Sequence, residues 1–402
     1  MGRSRLPLAI AVAVAAAAAA TLLLRPRSGL IEPAPVDLKQ YFTAFQLERA
    51  EDFRSVQRVL GLAGLGVGIG TLGVLVWRPP RRVLARLGAR PLLGSAAAGA
   101  GISLVLVVTG LPISAWMRQR ALDVGLSTQS WPDWAVDVVK SAGIGALTAA
   151  IGGVAAIALV RRFPRRWWAP GAVLVIAYGV VTVWLYPIVI DPVFNDFQKL
   201  KPGQLRSDVL RLADRAGVDV GEVYRVDASR RTNAANAYVI GLGHSKRVVL
   251  YDNLIDGFPR DEVRVVVAHE LGHQKHNDLL RGLAWLAIVA PAGTFLAQTL
   301  AERFARRDLG TPAGLPAIAL AVSLAGLGLG IASNALSRPV EASADSFALE
   351  LTRDPGDFVN FERRIAIRNI SDPDPPGLYH VLFDTHPTDK ERIGFGEAFR
   401  SK

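Results

Sequence analysis

The 402-residue sequence predicts a mainly α, polytopic membrane protein with about seven transmembrane helices and a small α+β polar domain. Three observations predict this. Half of the residues are hydrophobic. Seven segments approach the roughly 20 apolar residues needed to cross a hydrocarbon core. The polar chain is gathered into two blocks, at about 191–280 and 336–402. Buried core helices of a soluble protein do not fit, because too little polar chain remains to cover so many apolar runs. The formal charge of +11 does not mark a nucleic-acid binder, since the basic residues stand at the ends of apolar segments rather than in one tract. With no cysteine, disulfides, thiolate ligands and a cysteine nucleophile are excluded, so any metal site must use histidine and carboxylates.

The spans fall at about 8–24, 57–77, 92–113, 141–160, 168–190, 281–299 and 313–335. The first follows Arg3 and Arg5. Its apolar run is long for a signal peptide and ends in Arg25-Pro26-Arg27, so it reads as a retained span. Glycines within 61–73 and 94–101 suit close helix contact in lipid. Arginines crowd the loops after the second span (Arg78, Arg81, Arg82, Arg86, Arg90), the fourth (Arg161, Arg162, Arg165, Arg166) and the sixth (Arg303, Arg306, Arg307). In a seven-span chain these loops share a side with the N-terminus, and the positive-inside tendency places that side in the cytoplasm. Both polar blocks then lie on the extracytoplasmic face, although Arg49, Arg54 and Arg58 pull the other way. The richness in Arg, Ala and Gly suits a bacterial source and thus a bacterial plasma membrane. The expected organisation is five spans in 1–190, a polar domain in 191–280, two spans in 281–335 and the rest of the polar domain in 336–402.

The first polar block reads as a helix at Leu205–Ala216, short strands at Glu222–Val226, Tyr238–Gly241 and Arg247–Tyr251, then a helix starting near Pro259, a residue suited to a first helical turn. That last helix carries His269-Glu270-Leu271-Gly272-His273. Residues four apart share a helical face, so His269 and His273 can hold one zinc ion, with Glu270 beside it to take a proton from a metal-polarised water. A catalytic zinc normally has three protein ligands. His276 and Asp278 are set aside as the third, because a continued helix would carry them too far along its axis; seven residues rise about 10 Å. Glu341 is the better candidate, since two crossings between His273 and Glu341 return the chain to the same face. Asp345, one turn on, is placed to accept a ring N–H from a ligand histidine. His386 is a further candidate, able to steady an oxyanion, although a loop histidine before proline is often unremarkable.

Together these residues resemble the membrane zinc endopeptidases of the CAAX prenyl protease 1 type, a gluzincin family that includes bacterial heat-shock membrane proteases. The resemblance runs in order through Leu111-Pro-Ile-Ser, Gly125 to Ser141 with Asp137 and Lys140, and Pro187-Ile-Val-Ile-Asp-Pro. It continues through Asn236-Ala-Tyr-Val-Ile-Gly-Leu, Lys246-Arg-Val-Val-Leu-Tyr, His269 to His273, Glu341 to Ala348, and His386-Pro387 to Arg392-Ile393. It implies seven helices enclosing a chamber, a zincin-type protease domain, one Zn2+ on His269, His273 and Glu341, and Glu270 as general base. It also implies an edge strand at Asn236 and Tyr238 along which a peptide lies. His386 and Arg392 match the pair that would stabilise the transition state and hold substrate.

The expectation is therefore an integral-membrane zinc metalloendopeptidase of CAAX prenyl protease-like type. Its partners would be the bilayer and a peptide or protein substrate, lipidated or membrane-embedded. One alternative is a general membrane quality-control protease. Another is a non-enzymatic zinc-containing binding or transport protein, disfavoured because Glu270 has no use in a structural site and such sites close with four protein ligands.

Overall fold

A computed structural model describes residues 5–241, 246–305 and 307–401; Arg3 and Arg306 lie outside them. The chain opens with α1 (Arg5–Leu24), α2 (Ala44–Trp77), α3 (Arg81–Gly88), α4 (Pro91–Asp123), α5 (Trp131–Arg162) and α6 (Trp168–Leu185). A π-helical turn, Tyr186–Ile190, leads to α7 (Asp191–Phe194), β1 (Phe197–Lys199), α8 (Gln204–Ala216), β2 (Glu222–Val226), β3 (Ala237–Ile240) and β4 (Arg247–Tyr251). Then follow α9 (Asp252–Gly257), α10 (Arg260–Lys275), α11 (Asp278–Phe304), α12 (Leu315–Thr352), α13 (Pro355–Asn369), α14 (Gly377–Phe383) and α15 (Asp389–Arg400).

Seven of these helices are long and apolar enough to cross a membrane, among the described residues, and they coincide with the seven spans expected from hydropathy. Their apolar windows are at most 39% buried within the protein, so most of that surface faces outward. The surface of 20297 Å² exceeds the roughly 15,000 Å² of a compact globular chain of 43.1 kDa. α4 packs along α5, α1 and α6 flank α11, α11 lies along α12, and α2 bridges α4 and α12.

The glycine expectation splits. A Cβ on Gly99 would stand 2.2 Å from the Ala149 carbonyl oxygen, so α4 and α5 approach as closely as small residues permit. Gly61, Gly66, Gly68 and Gly70 face open space instead.

The polar part is a four-stranded sheet in the order β1-β2-β4-β3, with β2 and β4 parallel and the outer pairs antiparallel. Its core joins Val209 and Leu212 of α8, Val223, Val248 and Leu250 of the sheet, Val267 and Leu271 of α10, Leu349 of α12, and Phe358 and Phe361 of α13. Sequence periodicity predicts α8, β2, β3 and β4 almost residue for residue. It does not reveal β1 and α9, which are short, or the three C-terminal helices. The domain boundary expected at 335 falls inside α12, a single helix of 38 residues. At 1.5 Å per residue it spans roughly 57 Å, about twice a hydrocarbon core, so its C-terminal part stands clear of the membrane.

Candidate metal centre

Helix α10 starts where Pro259 pre-sets the chain, with Asp261 and Glu262 at its positive N-terminal end. Its apolar face, Val263, Val267 and Leu271, is driven into the domain core and fixes its rotation. His269 is consequently buried and His273 partly so, both turned toward α12.

Three ligand-type side chains converge there: His269, His273 and Glu341 form the one cluster of three or more such groups, among the described residues, able to hold a metal ion. His269 Nε2 lies 3.1 Å from His273 Nε2 and 3.3 Å from Glu341 Oε2, and His273 Nε2 lies 3.6 Å from the same oxygen. Tetrahedral ligands about 2.1 Å from a zinc stand roughly 3.4 Å apart, so the spacing fits that ion.

The surroundings fit as well. Each imidazole turns its Nδ1 outward to a carboxylate: His269 to Asp345 Oδ1 at 2.7 Å, and His273 to Asp278 Oδ2 at 2.9 Å. Carboxylates there hold the Nδ1–H tautomer, so both Nε2 lone pairs point inward, facing each other and Glu341 Oε2. That oxygen is buried and has no hydrogen-bond donor. Burial disfavours a charged His273, but Asp278 and Glu341 pull the other way, so the carboxylates around the centre favour positive charge there. Donors that would otherwise repel are thus arranged for a cation.

Glu270 follows the first ligand. Burial raises its carboxyl above the ordinary range, and among the described residues no side chain hydrogen-bonds to it. His386 reaches the same place from the loop before α15, its Nε2 3.4 Å from Glu341 Oε2 and its Nδ1 2.8 Å from Thr385 Oγ1.

Arg392 does not face open space. Its Nε and Nη2 donate to Asp345 at 2.9 and 2.6 Å, and its Nη1 lies 2.8 Å from Glu362. All its terminal nitrogens are committed to carboxylates, which is a different geometry from the substrate-holding role the resemblance implies. Tyr238 likewise donates its hydroxyl to Asp191 Oδ2 at 2.9 Å, away from the metal cluster.

Asn236 is exposed just before β3, an edge strand of the sheet. Its carbonyl accepts from Tyr251 N, so by antiparallel alternation the backbone groups of Ala237 and Val239 point to the unpaired side. Gln274, next to His273, donates to Val239 O at 3.2 Å, which sets this edge directly against α10.

Two features escape sequence reasoning. Asp278 lies outside the three-donor cluster and is the hydrogen-bond partner of His273. Asn277 adopts a left-handed conformation, φ 55°, that ends α10 and folds Asp278 back; an asparagine just past an amphipathic run was the available signal. His276 bonds Ser343 Oγ at 3.2 Å, outside the cluster.

Gly272 sets the distance between the two ligand helices. A Cβ there would stand 3.2 Å from both the Ala344 Cα and Phe347 Cδ1. The phenyl ring can yield, but the α12 backbone cannot without carrying Glu341 and Asp345 with it. Gly272→Val is therefore expected to cost about 1–3 kcal/mol of stability and to weaken metal binding. Thermal unfolding and a zinc titration check this, and unchanged values for both would show that α12 is not held at this contact.

Comparison with known proteins agrees with this geometry. Residues 199–396 match the model of peptidase family M48, and residues 55–196 match that of the CAAX prenyl protease N-terminal region, described as five membrane helices. The protein named uncharacterized metalloprotease YhfN of Bacillus subtilis is 33% identical over 307 residues, covering 74% of this chain and 71% of that protein. CAAX prenyl protease 1 of Saccharomyces cerevisiae is 32% identical over 167 residues, but the match spans only 40% of this chain and 35% of that protein. The crystal structure of S. mikatae Ste24p superposes with a TM-score of 0.75 over 98% of this chain and 99% of that one, at 20% identity, a likeness of fold.

Proposed function

The chain belongs to peptidase family M48 as a multi-pass membrane metalloprotease, and on that premise we propose that its metal is zinc, held by His269, His273 and Glu341, and that it cleaves internal peptide bonds. The observation that carries this reading is the convergence of three donors 3.1–3.6 Å apart, two of them oriented by carboxylates, with a half-buried glutamate following the first.

Zinc, when bound, supplies Lewis-acid polarisation of a water and of the scissile carbonyl. The protein's residues do the rest. Glu270 accepts the proton of the attacking water and returns it to the leaving amine, a role suited to a carboxyl whose basicity burial has raised. His386, whose ring is tethered by Thr385, donates toward the oxyanion. Asp345 and Asp278 keep the two ligand rings in one tautomer and orientation. The Ala237 carbonyl and the Val239 N–H, the outward groups of this edge not already bonded to Asn236 Oδ1 and Gln274, offer a line along which an extended peptide aligns, with Asn236 at its entrance.

For the substrate we propose a CAAX prenyl protease-like preference for a lipidated, membrane-borne chain, supported by the motifs shared along both matched regions. The test is cleavage of a peptide farnesylated at a C-terminal CAAX cysteine beside its unlipidated twin, with and without a zinc chelator. Chelator-sensitive cleavage of the lipidated peptide alone is expected. Equal cleavage of both would favour quality-control proteolysis, and cleavage of neither by zinc-loaded protein would overturn the CAAX-type substrate reading and point to a different substrate or a non-enzymatic role.

The arginines support a catalytic face outside the cytoplasm of a bacterial cell. On the site's side they are engaged with protein: Arg58 pairs with Asp372 at 2.7 Å, and Arg54 donates to the Asn369 and Ile370 carbonyls. At the other end, Arg82, Arg86, Arg90, Arg161, Arg162 and Arg165 have no carboxylate within ion-pair distance among the described residues. They are left for solvent and headgroups, as the positive-inside rule describes. The chain has no cysteine, so single introduced thiols report topology cleanly. A membrane-impermeant maleimide is expected to label Asp374→Cys but not Arg162→Cys in intact cells; the reverse pattern would put the catalytic face in the cytoplasm.

A further inference from the structure

Glu362 is a buried acid that the chemistry above leaves unused. It lies on α13, fully enclosed at 0% exposure, directly after Phe361, which with Phe358 belongs to the core of the polar domain. A carboxyl taken wholly out of water is costly unless something compensates it. The one charged group within ion-pair distance, among the described residues, is Arg392, whose Nη1 stands 2.8 Å from Glu362 Oε2. The same guanidinium grips Asp345 through Nε and Nη2. Asp345 in turn holds Nδ1 of His269.

Four side chains from four helices thus form one unbroken buried line, from α13 through α15 and α12 to the metal-facing ring on α10. We propose that Glu362 is a positioning residue for the metal centre, holding the plane of the Arg392 guanidinium so that its Nε–Nη2 edge stays on Asp345 and the His269 ring stays aimed. This role rests on the reading of the centre as a zinc site.

The geometry supplies the reason. Asp345 engages only the Nε–Nη2 edge of the rigid guanidinium, about which the whole plane can still tilt; Glu362 beside Nη1 resists that tilt. A planar fork held on two sides cannot rotate. An apolar residue at 362 would leave Nη1 without its neighbouring oxygen. Burial pushes the Glu362 carboxyl up to about 8. What Glu362 supplies is an oxygen held 2.8 Å from Nη1, a position that a glutamine amide of the same length can also occupy. Asp345 carries both hydrogen bonds from Arg392.

That difference separates positioning from bulk structure. Glu362→Ala removes the acceptor, Glu362→Asp withdraws it by one methylene, and Glu362→Gln keeps it in place. Zinc affinity is read by chelator competition on the full-length protein in detergent, beside kcat and KM on a cleaved peptide. The expected result is a 10–100-fold weaker zinc affinity in the Ala variant and a smaller loss in the Asp variant. In both, kcat falls while KM stays within about twofold, and the Gln variant stays near wild type. Should the Ala variant fail to fold, the Asp and Gln pair carries the test, because both preserve a polar group of nearly the same size. Wild-type zinc affinity in the Asp variant, or a change confined to KM, would overturn the role of Glu362. A wild-type chain that takes no zinc would overturn both this role and the zinc reading of the centre.

Discussion

Glu270→Gln is expected to leave the centre assembled and metal-loaded while turnover falls by about 10²–10⁴-fold, the usual contribution of a positioned general base. The substitution is nearly isosteric, and no side chain among the described residues hydrogen-bonds to Glu270, so no hydrogen bond of the fold is lost with it. The ligand donors are untouched, because the Nε2 atoms of His269 and His273 and the Glu341 oxygen meet without it. What disappears is the one basic group poised to take a proton from the attacking water. Zinc stoichiometry and kcat measured on the same preparation check this. Full activity in the variant would remove Glu270 from its proposed role, whereas loss of zinc would show that it supports the centre instead.

Asp345→Asn is expected to have the largest effect on the assembly of the centre. Asp345 is completely buried and accepts from three directions: His269 Nδ1 at 2.7 Å, and two nitrogens of Arg392 at 2.9 and 2.6 Å. An amide keeps a single carbonyl oxygen and presents its NH₂ to the guanidinium, so the buried Arg392 loses its counter-charge. Breaking one partner of a buried ion pair commonly costs 3–5 kcal/mol. Glu362, the other carboxyl beside Arg392, can ionise in compensation, which places the expected loss near the lower end, about 3 kcal/mol. Zinc affinity is expected to drop by about 10–100-fold, since the orienting partner of a ligand histidine is weakened. Thermal unfolding in detergent and chelator competition measure the two effects. A variant that binds zinc as tightly as wild type would show that His269 needs no support from this carboxylate.

Much of this protein is written locally. An apolar run of about 20 residues is a span wherever it is placed, and all seven coincide with helices in the structure. The i, i+4 spacing puts His269 and His273 on one face of any helix they occupy. Glu341 was reachable by counting crossings, which is topology rather than packing. The short strands β2, β3 and β4 show their alternation in the sequence, whereas β1, three residues long, carries too few positions for a pattern.

The tertiary structure decided the rest, and the reason is common to each case: the partners are far apart in sequence, and their meeting depends on how closely two elements approach. Asp278 becomes the partner of His273 because Asn277 turns the chain, where a continued helix would have carried it away. Arg392 spends its donors on Asp345 and Glu362 because α15 packs on α12 and α13; a motif match alone suggested substrate. Tyr238 points to Asp191 because β3 is antiparallel to β4 and its side faces α7. Gly272, legible only as a small residue between two ligands, proves to be the contact that lets α12 bring Glu341 and Asp345 to α10. Sequence by itself determined which residues could form a metal site and that it stands beside a membrane; only packing determined which carboxylates hold it in shape, because burial and separation between distant helices are properties no local pattern encodes.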